Sequence, residues 1–172
     1  MDRDGVLNRR QEHGYVLHPS QLVPLDAIVP TLVQAWSHGS PVVVVSNQGC
    51  LSRRYLDSKT LEAIHQKLLD HLAGHHVQVT AIYVCPHHPA ATEPADRRCG
   101  CRKPEPGLLV AAAADLAIDL SRSVFLGDQD TDRRAAEAAG IPSSHVWLVA
   151  PEVMTPDDSK RLADDVMAAL TR

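Results

Sequence analysis

Met1-Asp2-Arg3-Asp4-Gly5-Val6-Leu7-Asn8 is the stretch on which the fold turns. Asp2 and Asp4 stand two apart, and on an extended backbone residues i and i+2 project to the same side, so both carboxylates can address one point. Gly5, directly after them, lets the chain turn sharply out of a strand. A carboxylate nucleophile with a second carboxylate as acid and base needs such a pair. Asp-x-Asp-Gly also occurs in polar turns and calcium loops, so the choice rests on what the rest of the chain sets beside it.

Working outward, Arg9 to Leu25 is polar and rich in His, Gly and Pro, and reads as a loop lying over the Asp pair. Pro30 suits the first turn of a helix; Val29, Leu32, Val33 and Trp36 share one face, with Trp36 expected in the core, and Gly39 ends the helix. Val42-Val43-Val44-Val45 is a β-branched run of the kind buried on both faces in a parallel sheet. It runs into Ser46-Asn47-Gln48-Gly49, and ligands of open α/β sheets sit beyond the carboxyl ends of the strands. A helix is predicted over 58–73 with Leu61, Ile64, Leu68 and Leu69 inward, then a strand over 80–85, a helix over 108–118, a strand over 124–126, a helix over 130–140, a strand over 146–149 and a helix over 157–171. This alternation predicts a three-layer, Rossmann-like α/β fold with a mainly parallel sheet and no large cap.

The 172 residues, 44% apolar and 22% charged, suit a single domain spanning 1–172. A net charge of -4 argues against a general nucleic-acid binder. No apolar run approaches the ~20 residues that cross a bilayer, and the N-terminus is charged from Asp2, unlike a signal peptide. A cytoplasmic monomer without nucleic-acid or membrane partners is expected.

Three of the four cysteines fall together with a histidine: Cys85-Pro86-His87, then Cys99-Gly100-Cys101. In a cytoplasmic protein such clustering reads as metal rather than disulfide. Three thiolates and one imidazole make a closed tetrahedral Zn²⁺ site, structural because no position stays open for water. The 85–101 segment is thus a zinc loop, with His87 favoured over His88 as the ligand. Cys50 is left as a free, packing thiol. Arg102-Lys103 directly follow and suit a phosphate clamp, Arg as a fork and Lys as a point charge, or form a solvated basic pair. Gly127-Asp128-Gln129-Asp130-Thr131-Asp132 follows a buried strand. Carboxylates there suit Mg²⁺, and Asp130 or Asp132 could equally cap the following helix.

Asp2-Arg3-Asp4-Gly5, Ser46, Lys103 and Asp128 with Asp132 together resemble the four motifs of the haloacid-dehalogenase-like phosphatases, over almost the whole chain. Cys85-x-His87…Cys99-x-Cys101-Arg102-Lys103-Pro104 narrows the likeness to the heptose 1,7-bisphosphate 7-phosphatases and the histidinol-phosphate phosphatases. Asn8, His13-Gly14-Tyr15 and Ser46-Asn47-Gln48 with Arg53 resemble the heptose branch. That resemblance implies a Mg²⁺-dependent phosphatase acting on a phosphorylated sugar, with Asp2 as nucleophile and Asp4 as acid and base. Ser46 and Lys103 would hold the phosphoryl oxygens. Asp2, Asp128 and the Asp4 carbonyl would bind Mg²⁺, with Asp132 one step further out. Arg3, Glu12, His13, Gly14, Tyr15, Asn47, Gln48, Gly49, Arg53, Arg102 and Gln129 would line the substrate pocket. Cys50 and Arg54 stand where the resembling family has glycines, and Gln129 where it often has Lys. The resembling fold also carries an apolar strand before its Asp pair. Here only Met1 precedes Asp2, so the first strand is read as truncated, with about five residues upstream in the natural protein. Histidinol phosphate or another sugar phosphate as substrate, and an inactive zinc-stabilised binding relative, are the alternative readings.

Overall fold

The computed structural model describes residues 1–11 and 14–171. The predicted alternation is present. Strand β1 (Val42–Asn47) pairs in parallel with β2 (Val79–Cys85), and β3 (Phe125–Gly127) in parallel with β4 (Val146–Leu148). The chain's first two residues join these pairs. The Met1 amino group donates to the Val43 carbonyl at 2.9 Å, the Val45 amide to the Met1 carbonyl at 2.9 Å, and the Asp2 amide to the Leu126 carbonyl at 2.9 Å. The spatial order is therefore β4, β3, Met1–Asp2, β1, β2, which places Asp2 at the centre of the sheet.

Alternation along β1 explains the layers. Val42 and Val44 face one apolar cluster, Val45 the other, so the valine run is buried on both sides. On the first face lie α1 (Val29–Ser37), α2 (Ser58–Gly74) and α5 (Pro156–Leu170), through Leu32, Ile64, Leu68 and Val166. On the second lie α3 (Gly107–Leu116) and α4 (Asp130–Ala138), through Leu108, Leu109, Ala135 and Ala136.

Two expectations need adjustment. Trp36 is only half-buried, packed against the rim of the core. In α2 the buried stripe is Leu61, Ile64, Leu68 and Leu72; Leu69 lies one helical step, about 100°, off that stripe and is half-buried. The segment after the Asp pair is anchored by the buried Val16 and Leu22, and Pro19–Gln21 forms a 3-10 turn. Beyond Met1, β1 and β3 are separated by a slot of about 450 Å³ lined by Leu32, Val43, Leu109 and Phe125 among others. Among the described residues, no helix is long and apolar enough to cross a membrane.

Candidate active site

Asp2 and Asp4 have opposite surroundings. Asp4 is clamped: Arg3 Nη2 donates to its two oxygens at 3.0 and 2.9 Å, Asn8 Nδ2 at 2.9 Å and Gln48 Nε2 at 2.8 Å. Burial opposes ionisation of Asp4, yet Arg3, Asn8 and Gln48 outweigh it and hold the carboxyl below the usual range. Asp2 instead sits among carboxylates. Burial pushes its pKa up to about 6, with Asp132 and Asp4 adding to the rise and Lys103 opposing it. A local reason for the divergence is the turn: the Arg3 carbonyl accepts from the Leu7 and Asn8 amides at 2.9 and 3.1 Å, which folds Asn8 back onto Asp4. Gly5 has φ +89°, and a Cβ there would lie 2.2 Å from Asp128 Oδ2. Only glycine lets this turn pass the Asp128 carboxylate.

Lys103 from the loop after β2, and Asp128 and Asp132 from the β3–α4 junction, gather at Asp2. Lys103 Nζ lies 2.7 Å from Asp2 Oδ1 and 2.6 Å from Asp132 Oδ1, and donates to the Val45 carbonyl at 3.0 Å. Burial alone would lower the Lys103 pKa, but Asp2 and Asp132 raise it above the usual value, so the cation is fixed. Asp132 also accepts from the Asp128 and Gln129 amides at 3.1 Å each, closing the first turn of α4. The N-cap is Gln129 rather than Asp130 or Asp132; Asp132 is its capping-box partner at the third helical position as well as a site carboxylate. Ser46, at the end of β1, is buried and accepts from Gln48 Nε2 at 2.8 Å. Carboxylate oxygens of Asp2, Asp128 and Asp132 lie within 4.8 Å of one another. Asp128 Oδ1 is buried without a hydrogen-bond partner, and burial raises the Asp128 pKa despite the neighbouring Arg10. Oxygen donors and an orphaned carboxylate oxygen fit a hard divalent cation.

The sulfur cluster also assembles. Cys85 Sγ lies 3.6 Å from Cys99 Sγ and 3.0 Å from Cys101 Sγ, and His87 Nδ1 lies 3.3 Å from Cys101 Sγ. Burial pushes the Cys85 thiol far up, a state relieved by a metal that takes the thiolate. Spacing and donor type fit zinc, whose bonds to sulfur are about 2.3 Å. His88 lies outside this cluster. Instead it packs on Gly49, where a Cβ would meet the His88 side chain at 2.8 Å and the Tyr15 hydroxyl at 3.0 Å.

Three residues expected to line the substrate pocket do other work. Arg3 is wholly buried and turned onto Asp4, since a guanidinium at the sheet centre needs a carboxylate partner. Gln48 is wholly buried and bridges Asp4 and Ser46. Asn47 clamps the Lys103 backbone, donating to its carbonyl at 3.0 Å and accepting from its amide at 3.0 Å. Tyr15, Gly49 and Arg53 do gather: Tyr15 and Tyr55 form an edge-on pair 6.4 Å apart, and Arg53 lies 4.4 Å over the Tyr55 ring. Arg102 donates to the His87 carbonyl at 3.0 Å, so its direction is set by the sulfur loop. Gly14 and Gln129 are exposed, and Glu12 and His13 lie outside the described residues. Arg10 and Tyr55 are neighbours that the sequence does not mark, and His88, weighed there only as a zinc ligand, is a third. Arg54, at a glycine position of the resembling family, has φ +57°, the left-handed region that favours glycine.

Escherichia coli D-glycero-beta-D-manno-heptose-1,7-bisphosphate 7-phosphatase is 33% identical over 171 residues, 99% of this chain and 87% of the relative. The chain belongs to this family of HAD-like phosphatases. Within it, the namesake enzyme of Photorhabdus laumondii is 35% identical over 142 residues, 82% of this chain and 74% of the relative. The HAD-hydrolase-like family model matches residues 100–171. Two crystal structures of the family superimpose closely. A HAD-like phosphatase of Mesorhizobium loti has a TM-score of 0.86 at 34% identity, covering 99% of this chain and 84% of that one. The D,D-heptose 1,7-bisphosphate phosphatase of B. bronchiseptica, complexed with magnesium and phosphate, has a TM-score of 0.74 at 34% identity, covering 95% of this chain and 83% of that one.

Proposed function

We propose that this HAD-like phosphatase removes the 7-phosphate of D-glycero-D-manno-heptose 1,7-bisphosphate, through a phosphoryl group carried on Asp2. The observation that carries the reading is the meeting of Asp2, Lys103, Asp128 and Asp132 in one cluster, with Ser46 joined to Asp4 through Gln48, in a chain whose relatives are named for that sugar. An Asp2 oxygen forms the bond to phosphorus while the bond to the sugar oxygen breaks, and Asp4 gives that oxygen a proton. Asp4 then takes a proton from water, which attacks the phosphorus and releases inorganic phosphate and the Asp2 carboxylate. The clamp on Asp4 favours the anionic form needed in the second step; the charge of the arriving phosphate favours the protonated form needed in the first.

Ser46 and Lys103 orient the phosphoryl oxygens, because phosphoryl transfer depends chiefly on positioning and charge. Asp2, Asp128 and the Asp4 carbonyl would hold Mg²⁺, which when bound supplies charge screening between nucleophile and phosphate. Cys85, His87, Cys99 and Cys101 would hold a structural Zn²⁺, fixing the loop that delivers Arg102 and Lys103. Gly49, Arg53, Arg102 and Tyr15 would face the sugar, with Gly14 and Gln129 at the rim. Phosphate release from a panel of heptose bisphosphate, histidinol phosphate and other sugar phosphates tests this. The heptose bisphosphate should be the preferred substrate by kcat/KM. Preference for another phosphate would reassign the substrate, and no release from any would leave a binding relative.

A further inference from the structure

Arg10 has no part in the chemistry above. Its Nη1 donates to Asp128 Oδ2 at 2.9 Å across 118 positions of chain. The Arg10 side chain is 47% exposed against 13% for Asp128, so the ion pair sits at the mouth of the carboxylate cluster. The backbone is fixed just before it, where the Arg9 amide donates to the Val23 carbonyl at 2.8 Å. Arg9 itself points elsewhere, 3.7 Å from Glu152. The Arg10 side chain can leave Asp128 without breaking that anchor.

The charges beneath it are decisive. Asp2, Asp128 and Asp132 are three carboxylates, and Lys103 is the cation that touches two of them. Two negative charges remain, which is what one divalent cation neutralises. Arg10 and such a cation would compete for the same Asp128 carboxylate. Once the cation is seated, the Arg10 charge is surplus at the pocket mouth. A guanidinium fork matches the oxygens of a phosphate, and the phosphate is the anion that enters there.

We propose that Arg10 is a displaceable counter-cation: it holds Asp128 until Mg²⁺ binds, then turns to grip the phosphate of the substrate. This rests on the phosphatase reading of the site. The test uses zinc-loaded protein with Arg10→Ala and Arg10→Lys, both at a half-exposed side chain. In calorimetric titration with Mg²⁺ alone, Arg10→Ala should bind about threefold to tenfold more tightly than wild type, the competitor being gone, with Arg10→Lys between. With Mg²⁺ saturating, inorganic phosphate should bind Arg10→Ala about tenfold more weakly, the loss of one charge-assisted contact. KM should rise by a similar factor, with kcat little changed. Unchanged or weaker Mg²⁺ binding in Arg10→Ala would overturn the displacement, and unchanged phosphate binding would overturn the grip. Neither titration needs the heptose substrate. A wild type that hydrolyses no sugar phosphate would defeat the phosphatase reading, while the two titrations still decide Arg10.

Discussion

The thiol cluster of the 85–101 loop and the carboxylate cluster at the strand ends both gather metal-type ligands, and they are built in opposite ways. The sulfur set comes from one loop, and its donors face mainly one another. Three thiolates and an imidazole leave no coordination position open, so a metal there can only hold the loop. The oxygen set comes from both ends of the chain, Asp2 against Asp128 and Asp132, and is balanced by cations from two further loops, Lys103 and Arg10. Hard carboxylates held apart by counter-charges leave room for an ion, its waters and a phosphate. The first arrangement stores stability; the second stores unfavourable charge that a substrate complex relieves.

The comparison breaks most visibly at Asp2. Asp2→Asn should cut turnover at least ~10³-fold, by loss of the nucleophile, with an unchanged circular-dichroism spectrum because the amide has the same shape and Lys103 keeps Asp132 and the Val45 carbonyl. Turnover within tenfold of wild type would sink the assignment. Next comes the sulfur side. Cys99→Ser should leave less than half an equivalent of zinc by metal analysis and lower the melting temperature, since structural zinc binding is folding free energy. Activity should fall with it through Arg102 and Lys103, while Mg²⁺ affinity in calorimetry stays unchanged. Loss of both metals together would erase the distinction.

A third test lies behind the carboxylates. His65 Nε2 is buried without a hydrogen-bond partner, and burial, with Arg3 nearby, lowers its pKa to about 4. The folded state thus favours neutral His65. Its contribution is complete above about pH 6.5 and is lost as the pH falls towards 4, because the unfolded chain takes up the proton first. Urea midpoints should show up to ~2 kcal/mol of acid sensitivity that His65→Gln lacks. Equal acid loss in both proteins would put the sensitivity in the carboxylates instead. The smallest effect is at Arg54. Arg54→Gly relieves left-handed strain of about 1 kcal/mol and forfeits an exposed pair with Glu93 at 2.6 Å, worth about 0–1 kcal/mol. The melting temperature should rise by at most ~2–4 °C; a clear fall would mean the surface pair matters.

What was legible in the sequence follows the same division. Cys85, His87, Cys99 and Cys101 could be grouped by spacing, since a single loop brings them together. The valine run and the helical stripes gave the layers, because periodicity records burial directly. The polar network around Asp4 was not legible. Gln48 reaches Asp4 across 44 positions and Asn47 reaches Lys103 across 56, and no local pattern marks such pairs. Arg3, Asn47 and Gln48 were therefore expected to face the substrate, when each is taken up in holding a neighbour. Arg10 is silent in the sequence for the same reason: its partner Asp128 stands 118 positions away along the chain.

Met1 and Asp2 tie the two halves of the sheet, the Val45 amide bonding to the Met1 carbonyl and the Asp2 amide to the Leu126 carbonyl, each at 2.9 Å. The proposed nucleophile thus sits on the backbone that couples β1 to β3, and a local opening between them would carry Asp2 with it. A ligand bridging Asp2 and Asp128 would hold the halves together. Deuterium exchange at the Asp2 and Val45 amides should therefore slow on binding, so occupancy of the site could be read from the backbone.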